Sequence, residues 1–134
     1  ARRMAELGLS RGAQVVVLDR QGANYCGRLW WMLRWCGHEA VAVLDGGLAA
    51  WKAAGGAVET GAAAVPAPGD FTASESLAPA LDTNTLMQRL GRADTTVIDA
   101  RAAARFRGEV EPLDPVAGHV PGALNRPFGA NLQA

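Results

Sequence analysis

Two short runs of apolar residues punctuate the first third of the chain, Val15-Val16-Val17-Leu18 and Val41-Ala42-Val43-Leu44, and each stops at an aspartate, Asp19 or Asp45. An apolar run without alternation predicts a strand of a parallel sheet covered on both faces, since alternation arises only where one face meets water. Between the runs, residues 26–36 carry only Arg28 and Arg34 as charges and include Trp30, Trp31 and Trp35. That composition predicts a helix buried on most sides, stopped by Gly37, which can adopt a left-handed C-terminal conformation. Asp45-Gly46-Gly47 predicts a tight turn into a short helix over 48–54, closed by Gly55-Gly56. Ahead of the first strand, residues 2–9 read as the last turns of a helix. The loop Gln21-Gly22-Ala23-Asn24 separates strand from helix. Strand, helix, strand, helix makes an α/β unit with a parallel sheet flanked by helices.

The texture changes over residues 57–81, where Pro66, Pro68 and Pro79 sit among glycines and alanines. No periodicity survives there, which predicts a linker with one extended stretch near Asp70-Phe71-Thr72. Order returns with Asp82 or Thr83 as the N-cap of a helix carrying Leu86, Met87 and Leu90, closed by Gly91. Thr95-Thr96-Val97-Ile98 predicts a strand ending at Asp99, and residues 102–106 a short helix. A loop with Pro112 and Pro115 follows. Gly118-His119-Val120-Pro121-Gly122-Ala123 then leads into a short strand at Leu124-Asn125, with no closing helix after it. Two half-units therefore flank a linker: the first has strands but no beginning, the second a beginning but no end.

Composition narrows the function classes. Of 134 residues 49% are hydrophobic and 19% charged, enough for a packed core and against disorder. Thirteen basic and thirteen acidic residues cancel without a basic block, which gives a nucleic acid or an anionic membrane no footprint. No apolar run approaches the roughly 20 residues of a membrane span. The start, Ala1-Arg2-Arg3-Met4-Ala5-Glu6, lacks both a secretory pattern and an initiator methionine, so the chain is expected to begin inside a longer protein. The two cysteines, Cys26 and Cys36, sit ten apart on one expected helix. That is about 15 Å along its axis and too far for a disulfide. Unpaired thiols suit a reducing, cytoplasmic compartment.

Candidate chemistry is sparse. Cys26 follows a strand and loop and opens a helix, where a thiolate is best stabilised. The cysteine-x5-arginine spacing of a phosphate loop fails, because that count lands on Met32 from Cys26 and on Ala42 from Cys36. Both are therefore expected as structural thiols. His38 and His119 lack the close pairing of a structural metal site, so local hydrogen bonds are their expected role and no metal is implied. Asp45-Gly46-Gly47 is a turn rather than a dinucleotide loop. The tryptophans, Trp51 included, are expected in the core. Arg101 and Arg105 are four apart and share a helix face just past a strand's C-terminal end, where α/β folds place ligands. Arg101 is expected to pair internally with Asp99 or Glu111. Arg105 suits an internal pair or a small oxyanion equally.

The order of these motifs resembles the tandem-domain rhodanese family of thiosulfate and 3-mercaptopyruvate sulfurtransferases. Residues 19–51, with Gly37-His38 and Val43-Leu44-Asp45-Gly46-Gly47 before Trp51, look like the back half of the family's first domain. Thr96-Val97-Ile98-Asp99-Ala100-Arg101, Arg105-Phe106-Arg107-Gly108, Glu111-Pro112 and the stretch from Gly118 to Phe128 look like the front half of the second. The resemblance implies a rhodanese-like α/β fold with residues 1–56 from an inactive first domain, 57–81 as linker and 82–134 from the catalytic domain. Such halves could pack as one permuted domain, an idea that two separate lobes in solution would reject. The family's thiolate takes a sulfane sulfur from a small-molecule donor, becomes a persulfide, and passes the sulfur to a thiol or cyanide without a cofactor. The resemblance places that cysteine beyond Ala134 and leaves Asp19 at the matching position of the silent first domain, so this chain alone is expected to be inactive. It assigns substrate binding to Arg105, which holds the donor's anionic end, and to Glu111 in the same pocket wall. His119 reads as structural. Leu113 stands where the mercaptopyruvate branch usually has an arginine, which shifts weight towards thiosulfate. The alternative is a non-catalytic interaction or small-anion-binding module.

Overall fold

The computed structural model describes residues 1–21 and 23–132. Gly22, expected in the first strand–helix loop, and Gln133 and Ala134, at the end of the second half-unit, lie outside the described residues. The chain divides into two compact units, Ala1–Pro79 and Ala80–Ala134.

In the first unit α1 (Arg2–Glu6) precedes β1 (Val15–Val17), α2 (Cys26–Trp35), β2 (Val41–Val43) and α3 (Gly47–Ala53). The two strands pair in parallel with Val15 opposite Val41 and Val17 opposite Val43. Side chains alternate across a strand, and here Val17 and Val41 turn inward to pack with Cys26, Leu33 and Phe71. Their alternate neighbours Val16 and Leu18 stay about half exposed. The strands are thus covered on one face, not on both as the unbroken apolar runs predict, because α2 lies against the face that carries Val17.

The helix departs from expectation in the same way. Only Cys26 and Leu33 of α2 are buried. Trp30 reaches the core and donates its indole N–H to the Val41 carbonyl at 3.2 Å. Trp31 and Trp35 face outward and stack on each other at 5.9 Å, and Trp51 is also exposed. An apolar composition shows that a helix has no strongly polar side; it does not supply a second layer to cover it. At the end of α2, Gly37 adopts φ +81. At the β2–α3 turn, Gly46 (φ +66) caps α3 and the Gly47 N–H closes on the Leu44 carbonyl at 3.0 Å.

The segment expected as a linker is partly built into this unit. The Gly69 N–H donates to Ala5 O at 2.8 Å, Phe71 N–H to Leu9 O at 3.1 Å, Ser74 N–H to Cys36 O at 3.0 Å and Leu77 N–H to Arg34 O at 3.0 Å. Phe71 closes the core, 5% exposed, with the buried His38 ring edge-on to it at 5.7 Å. A chain without side-chain periodicity is held here by its backbone groups and one aromatic anchor.

The second unit opens with α4 (Thr83–Arg89), capped by Asp82, whose carboxylate accepts the Thr85 N–H at 2.9 Å. Then come β3 (Ile98–Asp99), α5 (Ala103–Phe106), β4 (Leu124–Asn125) and a 3-10 turn at Phe128–Asn131. The strands pair in parallel, Ile98 opposite Leu124 and Asp99 opposite Asn125. The first strand starts later than Thr95, because the Thr95 N–H turns back to the Arg92 carbonyl at 3.1 Å.

Candidate functional site

The end of β3 gathers the chemistry of the second unit. Asp99 leaves the strand, and its carboxylate accepts the Arg101 backbone N–H at 2.9 Å and the Arg101 guanidinium at 2.7 to 3.1 Å. The same guanidinium donates to Glu111 at 3.2 Å and to the Gly118 carbonyl. Arg101 therefore pairs with both Asp99 and Glu111. Asn125, on the neighbouring strand, donates its amide N–H groups to the carbonyls of Asp99 and Arg101 at 3.0 and 2.9 Å, which locks the chain leaving β3.

One turn on, Arg105 lies in the last turn of α5 and meets Glu111 with two nitrogens, at 2.6 Å to Oε1 and 3.2 Å to Oε2. The Glu111 side chain is only 5% exposed. Its Oε1 also accepts the backbone N–H groups of Leu113 and Asp114, both at 3.0 Å. The Arg105 guanidinium, followed by those backbone donors, holds the Glu111 carboxyl down at about 2. Asp99 is lowered chiefly by its hydrogen bonds from Arg101, and Arg101 is raised by Asp99 in return.

A further carboxylate, which the sequence reading did not single out, completes the cluster. Asp114 accepts Arg105 Nη2 at 3.0 Å and lies 3.7 Å from Arg101 Nη1. Two guanidinium groups thus face three carboxylates. The spacing of Glu111 and Asp114 was a usable signal, since two acids three apart in a turn can converge on one cation. Both expected binding residues, Arg105 and Glu111, lie in direct contact here. His119 sits at the rim, with its ring stacked on Phe106 at 3.7 Å and Nδ1 2.7 Å from the Phe106 carbonyl.

The end of β1 is built differently. The Asp19 carboxylate accepts four backbone N–H groups: Gln21 at 2.7 Å, Ala23 at 3.0 Å, Tyr25 at 2.6 Å and Cys26 at 2.9 Å. These donors, the Cys26 N–H foremost, pull its pKa down to about 2. Ala23 takes φ +65 within this loop, an unusual conformation for a residue with a Cβ. Cys26 is buried, and desolvation followed by the Asp19 charge pushes its thiol up. That is the reverse of what a nucleophile needs. Both Cys26 and Cys36 are free thiols.

Comparison with known proteins adds the context. Residues 1–54 match the rhodanese-like domain family, a span that takes in β1, α2, β2 and α3. A probable 3-mercaptopyruvate sulfurtransferase of Pseudomonas aeruginosa is 48% identical over 126 residues, 93% of this chain and 44% of that protein. The fold is rhodanese-like. Other similar proteins agree. A putative thiosulfate sulfurtransferase, SseB of Mycobacterium tuberculosis, is 44% identical over 93% of this chain and 44% of its own length. The crystal structure of Escherichia coli SseA, described as a 3-mercaptopyruvate sulfotransferase, matches with a TM-score of 0.81 at 35% identity, covering 98% of this chain and 51% of that one. The chain thus spans less than half the length of the curated relatives it matches. No helix among the described residues is long and apolar enough to cross a membrane.

Proposed function

We propose that this chain is part of a sulfurtransferase that moves a sulfane sulfur from thiosulfate or 3-mercaptopyruvate to a thiol or cyanide through a cysteine persulfide. The nucleophilic cysteine is supplied by polypeptide outside these 134 residues. The observation that carries the reading is the Arg105 guanidinium, fixed past the end of β3 by the nearly buried Glu111.

In this reading the outside cysteine's thiolate attacks the outer sulfur of thiosulfate. A sulfur–sulfur bond forms to the enzyme, the donor's sulfur–sulfur bond breaks, and sulfite leaves with the electron pair. A cyanide or thiolate acceptor then attacks the outer persulfide sulfur and releases the cysteine thiolate, with no external oxidant or reductant. Arg105 holds the donor's anionic end and meets the charge that gathers on the leaving group. Glu111 sets the direction of that guanidinium by taking two of its nitrogens. Neither cysteine within the chain suits the attack, since Cys26 is buried beside Asp19 with its thiol pushed up. The loop after β1 is the silent counterpart of the catalytic loop: a fixed carboxylate occupies the ring of backbone N–H groups that a persulfide would use. Two unpaired cysteines fit a reducing cytoplasm.

A second reading, a non-catalytic rhodanese-like module, is favoured by one observation: three carboxylates already match the two guanidinium groups of the cluster. Thiocyanate formation from thiosulfate and cyanide by the whole polypeptide that contains this chain separates the two. Turnover supports the transferase. Its absence with both donors, in protein that is folded, leaves the module.

A further inference from the structure

We infer that Asp114 is a built-in competing anion that occupies the donor position on Arg105 and sets which donor charge the site accepts. The inference rests on the sulfurtransferase reading and deepens it. Two carboxylates share Arg105 Nη2, but their surroundings differ. Glu111 is 5% exposed and accepts from both arginines and from two backbone N–H groups, so its removal would strand buried charge. The Asp114 side chain is 56% exposed, and the contacts of its carboxylate are those with Arg105 at 3.0 Å and Arg101 at 3.7 Å. Its backbone N–H is separately anchored on Glu111 Oε1 at 3.0 Å. The side chain can therefore swing into water while the turn that presents it stays closed. Exposed ion pairs of this kind are weak and easily exchanged.

A sulfonate or carboxylate that takes Arg105 by both of its Nη groups competes for the Nη2 hydrogen that Asp114 holds. Binding is then an exchange of one anion for another, and the displaced carboxylate remains close enough to repel the newcomer. Thiosulfate carries two negative charges, whereas the carboxylate of 3-mercaptopyruvate carries one, so the repulsion falls more heavily on thiosulfate. Asp114 thus weakens donor binding in general and thiosulfate binding in particular. Leu113, beside it and 78% exposed, adds no compensating cation.

The test uses the whole polypeptide with Asp114→Asn and, as a second variant, Asp114→Ser. The expected result is a KM for thiosulfate about three- to tenfold lower in both, a smaller change for 3-mercaptopyruvate, and a gap that closes at high salt because it is a charge effect. Sulfate, a non-reacting probe, should bind several-fold tighter to the variants by calorimetry. An unchanged or raised KM together with unchanged sulfate affinity overturns the inference while leaving the transferase reading intact. So does failure of both variants to fold, which would make Asp114 structural. If the unaltered protein shows no sulfur transfer, the transferase reading fails, and sulfate affinity alone then decides whether Asp114 guards the anion position.

Discussion

An aspartate closes β3 and another stands two residues past β1, and the two units treat that charge in opposite ways. Asp19 is enclosed by four backbone N–H groups. Asp99 is held by an arginine, which draws Glu111, Arg105 and Asp114 into one network. The contrast extends to packing. Among the described residues, the buried apolar side chains Val17, Cys26, Leu33, Val41, Phe71 and Ala78 lie in the first unit, and the second has Ala123. The first unit is organised by an apolar cluster and closes its loop on itself. The second is organised around guanidinium groups, whose extra donors can serve a ligand. A backbone cage already filled by a carboxylate has nothing left to offer an anion, whereas an arginine held by exchangeable partners does.

The largest expected effect tests the packing side of that contrast. Phe71→Ala should cost the first unit about 3–5 kcal/mol, read by chemical unfolding and by hydrogen exchange over residues 1–79. A loss below about 1 kcal/mol would show that the segment around Phe71 is not part of the core. Next, Arg105→Gln in the whole polypeptide should lower kcat/KM for thiosulfate roughly 10- to 100-fold, the worth of a charge-assisted contact. An unchanged value would remove Arg105 from the site.

Acid should strain both units for different reasons. Asp19 and Glu111 have folded pKa values of about 2, below the unfolded range near 4. A depressed carboxylate stabilises the fold fully above its unfolded pKa and loses that contribution as pH falls, here between about 4 and 2. Acid titration followed by circular dichroism should show loss of structure in that window. Asp19→Asn should remove part of the pH dependence with little response to salt, while added salt should weaken the part due to Glu111. Identical salt responses would erase the distinction between a backbone cage and an ion network. The smallest effect is on donor choice: Leu113→Arg should shift preference towards 3-mercaptopyruvate by about threefold, through a second guanidinium that can pair side by side with its planar carboxylate. Competition between the two donors measures it.

Much of this was legible in the residues themselves. The strands around Val17 and Val41, the Asp82 cap, the Gly46 turn and the internal pairing of Arg101 follow from local pattern. What escaped depends on layers that pattern does not encode. The helix bearing Trp31 and Trp35 is apolar almost all round, yet composition cannot say that only one sheet face lies beneath it. Phe71 sits in a proline-, glycine- and alanine-rich stretch whose docking uses backbone hydrogen bonds, which leave no periodicity to detect. Asp114 joins the cluster only because the turn after Glu111 closes on that residue's own carboxylate. The enclosure of Asp19 was likewise invisible to hydropathy, although the family resemblance marked the position.

The most direct test is to treat the whole polypeptide with thiosulfate and map by peptide mass spectrometry which thiol gains one sulfur atom. The added sulfur is expected on a cysteine outside these 134 residues, with Cys26 and Cys36 unmodified. Sulfur on Cys26 or Cys36, or on no cysteine at all in folded protein, would contradict that expectation.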